Sequence, residues 1–434
     1  MEQLRTVPLD IGRRCPHPVV FLLLIVPFGA TSGFVNVALA FLATRVGLSV
    51  QQGAALIAVS MFPHVWKFFW APLADKTLSR KRWYLLSALL SAAGIFAMAT
   101  VPLGPSTLLL MSAIIFVTSV AATFLGFAVE GLVAYLTPPQ ERGRVSGWFQ
   151  AGNLGGLGIG GGLGLWLLNT LPSPWISGAI LATCLMACAI PLFFIADIPA
   201  IRTGGPLVAS IEHVAIDLWQ VLKSREGILC GVLCFVPVGT GAASGVLAQS
   251  EVAAMWHAGA REVALTQGTL TGVTAMLGCL VGGAACSRYF KARAGYAFFG
   301  ALMALVAVAM AVSPMRVMQY VGYSLAYSLT TGLCYAAFSA FVLDAIAAGH
   351  AATKYNAFAS LSNAPIWYMG LVLARAETTW GPKGMLYTEA ILAAAGIGVF
   401  VIVAAATRGS HTAQVGRARL PREISTPDRT EFGC

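Results

Sequence analysis

Four ionisable side chains interrupt long apolar stretches of the 434-residue chain: His64, Lys67, Glu130 and Asp344. A charged group inside a lipid phase costs about 3 kcal/mol on insertion scales, so each must do work or find a partner. His64 and Lys67 stand one helical turn apart. An imidazole, an amine and two carboxylates can pass protons or lock together as ion pairs. All four also lie within about two turns of a polar boundary, where long side chains snorkel toward water and meet loop charges. Structural gating, proton handling and direct contact with a solute are the three roles open to them, in that order. Glu251 and Glu389 fall nearer the other ends of their segments and are expected to be half-solvated.

Neutral polar residues mark a second kind of chemistry. Asn36, Gln150, Asn153, Gln267 and Asn363 sit inside apolar segments, with Thr31, Ser32, Thr240, Ser244 and Thr271 nearby in sequence. Tyr320, Tyr323 and Tyr327 recur at i, i+3 and i+7, one helical stripe. Such groups would bind a polar solute by hydrogen bonds and by stacking on rings. Ordinary helix packing explains the tyrosine stripe equally well. No acid falls with certainty at the middle of an apolar segment, so the path reads as neutral and polar.

The elements that carry these residues follow from composition. With 58% hydrophobic and 10% charged residues, the chain is far too apolar for a soluble protein. Apolar runs long enough to cross a hydrocarbon core of about 30 Å recur almost throughout, and they must be helices because lone strands leave backbone groups unpaired in lipid. Punctuation by Pro, Gly and charge places spans near 18–43, 49–74, 83–102, 106–136, 146–170 and 175–196. A second six follow near 226–250, 263–286, 295–313, 317–347, 354–374 and 384–407. The chain therefore divides into an N-terminal tail (1–17), a six-helix bundle (18–196), a polar central loop (197–225), a second bundle (226–407) and a basic tail (408–434) expected to be disordered at the membrane surface.

Charge orients the spans. With both termini in the cytoplasm, the inner segments hold twenty-one Lys and Arg residues and the outer loops five, the asymmetry that retention of positive charge produces. The net charge of +10 is thus topological rather than a nucleic-acid footprint. The cysteines have neither disulfide nor zinc-ligand spacing and read as small packing residues. The Arg-bearing start runs into the first apolar segment without a small-residue cleavage site, so that segment is expected to be retained. No cofactor motif is present: the glycine-rich runs lack the context of a phosphate loop. The six histidines are too scattered for an enzyme's acid, base and nucleophile to share one depth.

The halves echo each other. Glu130, Arg144 and Asn153 in the first correspond in order and type to Asp344, Lys354 and Asn363 in the second. A parallel repeat of this kind places a substrate path between the halves, near the midplane. Gly152, Gly156, Gly160 and Gly164 make one smooth face on the fifth span, and Gly268 and Gly272 a shorter one on the eighth. These faces are expected to pack the two bundles against each other.

The segment Trp66-Lys67-Phe68-Phe69-Trp70-Ala71-Pro72-Leu73-Ala74-Asp75 followed by Arg80-Lys81-Arg82 is similar to the loop signature of the major facilitator superfamily, usually Gly-x-x-x-Asp-Arg-x-Gly-Arg-Arg, with Ala71 in place of the glycine. Its wording, with Ser360 to Asn363, more closely resembles the branch of muropeptide permeases and acetyl-CoA transporters. The resemblance implies twelve helices in two pseudo-symmetric bundles and a latch at the inner gate. In that latch Asp75 would face the start of the eleventh span near Lys354 and Tyr355, and Arg80 or a neighbouring base would pair with Glu130. In the second half Ser287 replaces the acid, leaving Asp344 to pair with Arg288, Lys291 or Arg293.

The function these features imply is secondary active transport by alternating access across the inner membrane. Protons would couple it, a muropeptide-like or other peptide or glycosidic metabolite would be cargo, and the unit would be a monomer in the bilayer. A siderophore or other small-metabolite permease or exporter is the alternative. A non-transporting assembly or sensor protein on the same fold is the reading of another class.

Overall fold

The computed structural model describes residues 16–48, 50–195, 223–346 and 351–418, together with Ile216 and Trp219. Among the described residues every regular element is helical, and the helices make twelve crossings in two bundles. Among the described residues eight helical stretches are long and apolar enough to cross a membrane, the longest of them, Lys354–Thr407, holding spans 11 and 12 together. The remaining crossings are span 2, which carries His64 and Lys67, the glycine-rich span 5 and the broken span 7.

Span 1 comprises Val19–Gly33, a π-helical turn Phe34–Leu39 and Ala40–Arg45. Spans 2, 3 and 4 are Val50–Lys76, Arg80–Thr100 and Leu108–Leu136. Ser79 caps span 3 by accepting from the Arg82 amide at 3.4 Å, supplying one of the acceptors that a helix start lacks. Span 5 runs through Arg142–Gly158, a π turn Ile159–Leu163 and Gly164–Thr170. Span 6 is Pro174–Ala187 with a 3-10 turn Ile190–Phe194.

Span 7 departs from expectation. The continuous helix anticipated over 226–250 is instead Arg225–Leu233 and Ala243–Leu247, separated by non-helical backbone over 234–242. Pro237 removes an amide donor and clashes with the preceding turn, while Gly239 and Gly241 take φ of 68° and 71°, the left-handed region that only glycine enters without strain.

A short helix, Ser250–Met255, leads to span 8, built of Ala260–Ala264, a π turn Leu265–Thr269 and Leu270–Arg288. Spans 9 and 10 are Ala292–Val312 and Val317–Ala345. Span 11 begins with Ala351–Leu361 and continues past a turn at Ser362 into Asn363–Ala418, a segment that Gly381 (φ 71°) folds into spans 11 and 12. Its helix persists to Ala418, so the tail starts as helix where disorder was expected.

Packing reveals which face is closed. One large hydrophobic cluster joins both halves near the ends that carry the basic loops, from Phe21, Leu132 and Val145 to Leu229, Phe341 and Tyr355. Toward the opposite face each half has its own cluster: Phe34, Ile95, Met111 and Leu181 in the first, Trp256, Met303, Tyr320 and Met385 in the second. Leu109, Phe193, Met318 and Trp367 are exposed large apolar side chains, as helices bathed in lipid require.

Candidate functional site: a buried gate between two bundles

Spans 2, 4 and 5 of the first half meet spans 8, 10 and 11 of the second, and Lys67, Glu130 and Asp344 of the expected gate lie along this seam. Lys67 Nζ donates to Glu130 Oε1 at 3.1 Å, both side chains 7% exposed. The expected latch is therefore corrected: Glu130 takes its cation from span 2, within its own bundle. The guanidinium of Arg80 stands 4.7 Å from the Phe127 ring centre, one turn before Glu130. A bilayer-depth carboxylate favours the closer cation because the alternative is desolvation without compensation. The side chain of Asp75 lies outside the described residues. His64, one turn from Lys67, packs edge-on against Phe28 at 5.1 Å.

The second half completes the lock. The side chain of Asn356, fully buried on span 11, approaches the Glu130 carboxylate. Next to it, Tyr355 donates to Ser339 Oγ at 3.0 Å, and the same hydroxyl accepts from Gln150 Nε2 at 2.5 Å. Asn153 Nδ2 donates to Gln150 Oε1 at 3.1 Å. This chain of side chains crosses from span 5 through span 10 to span 11, and Gln150, Ser339 and Tyr355 are all buried. Sheltered from water, its members must satisfy one another. Of the two polar groups of span 5 expected to meet solute, Gln150 instead bridges the halves, and Asn153 steadies it from the same helix.

At the basic face, Arg142 Nη1 pairs with Asp344 Oδ1 at 3.0 Å, the side chains 26% and 47% exposed. Its expected partners in its own half, Arg288, Lys291 and Arg293, are thus displaced by an arginine of the other bundle. Both residues line a cavity of about 540 Å³ with Gln140, Ser287, Lys291 and Arg293.

The glycine face is also reassigned. A methyl group at Gly152, Gly156 or Gly160 would strike the Leu22, Val26 or Ala30 carbonyl of span 1, and one at Gly164 the Phe34 ring. That stripe packs inside its own bundle. The interbundle surface is the other side of span 5: added methyls at Gly147 and Gly158 would lie 2.7 and 2.9 Å from the Cα atoms of Gly283 and Gly272. Gly272 was anticipated there; Gly268 has no neighbouring atom within 4 Å of its would-be Cβ. Close backbone approach needs glycine on both partners, and a helix rich in it on two faces serves two interfaces.

The remaining polar candidates divide. Asn36, in the π turn of span 1, accepts from Ser60 Oγ at 3.5 Å. Gln267, in the π turn of span 8, donates to Ser324 Oγ at 3.4 Å. Both are only partly buried, and the π turn of span 5 packs against both of theirs, a departure from α geometry common at functional positions. Asn363 donates to its own helix, to Ala359 O at 3.3 Å. The tyrosine stripe turns inward: Tyr320 and Tyr327 are core residues of the second bundle, with Tyr323 at their edge. Tyr327 donates to Glu389, which is 2% exposed rather than half-solvated.

Ser339, Asn356 and Arg142 complete the gate without a gating role expected from sequence, and Tyr355 joins them, named there only as a marker of the helix start. Tyr355 and Asn356 stand a few residues before the Ser360 to Asn363 run, which is the one local signal. A serine such as Ser339 within an apolar span carries none.

Two six-helix bundles sealed on one face by apolar packing and a buried polar bridge define a multi-pass membrane transporter, not an enzyme. The chain belongs to the Major Facilitator Superfamily, whose sequence profile matches residues 21–366, and is a secondary transporter. Among solved structures it is similar to the human organic anion transporter MFSD10 (TETRAN), at 15% identity and a TM-score of 0.65, over 88% of this chain and 98% of that one. It is also similar to the proton:xylose symporter XylE bound to 6-bromo-6-deoxy-D-glucose, at 10% identity and a TM-score of 0.61, over 88% and 94%. At such identities the likeness is one of fold. No curated protein sequence matches the chain.

Proposed function

We propose that this protein is a proton-coupled secondary transporter, working by alternating access in the inner membrane, for a muropeptide-like or other peptide or glycosidic metabolite. Both termini and the basic loops would face the cytoplasm, and the sealed face would be the inner gate. The observation that carries the reading is the uneven seam: one hydrophobic cluster spans both halves at the basic face, whereas the opposite face keeps two separate clusters. A transporter waiting for an outside solute would have this arrangement. The Lys67–Glu130 pair supports proton coupling, since protonation of Glu130 would free Lys67 and weaken the hold of span 11 on the gate. Asn36 and Gln267, partly buried on the two π turns, are the groups that would meet the solute. The cargo class rests on the resemblance of the Lys67 to Asp75 segment.

Purified protein in proteoliposomes tests this directly. A panel of muropeptides, short peptides, glycosides and siderophores is offered with and without an imposed pH gradient. Accumulation of a peptide or glycoside that needs an acidic exterior is expected. Accumulation of the same solute at equal rate without a gradient overturns the coupling, and accumulation of siderophores alone overturns the cargo class.

A further inference from the structure

The broken seventh span should be costly. Its non-helical stretch 234–242 leaves backbone groups without helical partners at membrane depth, which is tolerated only where protein satisfies them. Two tyrosines from other spans bond within that stretch and two more brace the short helix that follows it. Tyr368 of span 11 donates to Phe235 O at 2.7 Å. Tyr296 of span 9 donates to Val238 O. Tyr320 of span 10 donates to Leu247 O at 2.7 Å, beyond the break. The Tyr327 hydroxyl lies against the backbone amide of Ala243, where the helix resumes.

Tyr327 differs from the others because its proton goes to an acid. It donates to Glu389 Oε1, while Oε2 is buried without a hydrogen-bond partner. Glu389 lies six residues into span 12 from Lys383, about 9 Å below that helix end at 1.5 Å per residue. No cation compensates it among the described residues. Span 9 has no titratable residue over 297–312; span 7 carries Arg225, Cys230 and Cys234, all before or at the start of its break, and the short helix that follows it carries the exposed Glu251. Span 10 presents Tyr320 and Cys334 on either side of Tyr327. Span 11 carries exposed Arg375 and half-buried Glu377, and span 12 itself carries Lys383 and exposed Tyr387. None pairs with Glu389. An uncompensated carboxylate so placed is expensive, whereas its protonated form is not.

We propose that Glu389 is a proton-binding site whose occupancy is relayed through Tyr327 to the broken seventh span. One proton from the outer side binds Oε2, forming an O–H bond and discharging the carboxylate, with no other bond made or broken. Charged, the carboxylate holds the Tyr327 hydroxyl firmly as its one donor and keeps it oriented at Ala243. Neutral, it holds that hydroxyl less tightly, and the Ala243–Leu247 helix loses one of its ties to span 10. The site deepens the proton-coupled reading above, since it supplies a second acid, on the side from which protons would arrive.

Infrared difference spectroscopy with pH steps and hydrogen exchange of the 234–249 peptide, corrected for intrinsic rates, test it on the full-length protein in liposomes. Wild type should show a protonated-carboxyl band that titrates, and severalfold faster exchange of the peptide on the acid side. Glu389→Gln should remove that band and fix the exchange at its fast value. Tyr327→Phe should keep the band but abolish the pH dependence of exchange, a split that general loosening would not give. Identical band and exchange profiles in wild type and Glu389→Gln overturn the proposal, as does pH-dependent exchange surviving in Tyr327→Phe. The two readings fail separately. Gradient-independent uptake with a titrating Glu389 band sinks the coupling and leaves the site, while gradient-driven uptake with an unchanged pH profile in Glu389→Gln sinks the site alone.

Discussion

The two bundles bury their acids in opposite ways. Glu130 in the first half has a cation at 3.1 Å, and the lid over the pair is span 11 of the other half. Glu389 in the second half has only a hydroxyl among the described residues, and the apolar cluster that holds that tyrosine is built from its own bundle. An ion pair out of water is unforgiving, because loss of either member strands a charge. A carboxyl against a hydroxyl tolerates the neutral form. The first arrangement suits a lock that must hold until the halves part. The second suits a device that changes charge while its bundle stays assembled.

The largest effect should come from stranding the charge. Lys67→Ala is expected to cost about 3–5 kcal/mol and to abolish uptake, read by thermal unfolding in detergent and by proteoliposome transport. Lys67→Met with Glu130→Gln should recover most of the stability without uptake. A Lys67→Ala protein that melts as wild type would mean the pair is open in solution, and the contrast with Glu389 would collapse.

Next in size are the glycines of span 5, which separate contacts between bundles from contacts within one. Gly158→Leu faces Gly272 across the seam and should cut uptake more than tenfold by holding the halves apart. Gly160→Ala meets the Ala30 carbonyl inside the first bundle and should cost about 1–3 kcal/mol of stability, as overpacking does. If the two variants swapped phenotypes, the assignment of the two glycine faces would be reversed.

The half-exposed Arg142–Asp344 pair should matter less. Such pairs contribute about 0–1 kcal/mol, so Asp344→Asn should leave the melting temperature nearly unchanged and shift the gate equilibrium only severalfold. Exchanging the charges, Arg142→Asp with Asp344→Arg, should restore it, as measured by labelling of the inner face. Smallest of all is Gly268→Ala, within about 0.5 kcal/mol of wild type, because no atom lies near its added methyl.

Much of this fold was legible in the residues. Twelve crossings follow from hydropathy, and the family from the Lys67 to Asp75 segment. The importance of Lys67 and Glu130 followed from their cost in lipid. The partner of Glu130 was misread because the loop bases Arg80, Lys81 and Arg82 are conspicuous, while Lys67 was treated as a separate candidate. The four-residue spacing from Gly152 to Gly164 marks a smooth face but does not say which helix meets it, and the expected interbundle role falls to the opposite side of the span. Pro237, Gly239 and Gly241 carry a readable warning of the break in span 7, which the continuous apolar run around them hides from a hydropathy argument. Glu389 was judged by its distance from a helix end, which says nothing about what covers it.

Hydropathy and charge are sums along the chain, so the sequence by itself determined the number of crossings and the face that collects the basic loops. Partners were decided only by the tertiary structure. Each successive residue turns about 100° around a helix axis, so the rotation of one span against its neighbours selects what its side chains meet. That rotation is set by packing from both bundles at once. It gave Lys67 rather than Arg80 to Glu130, Arg142 of the opposite bundle to Asp344, and Tyr327 to Glu389.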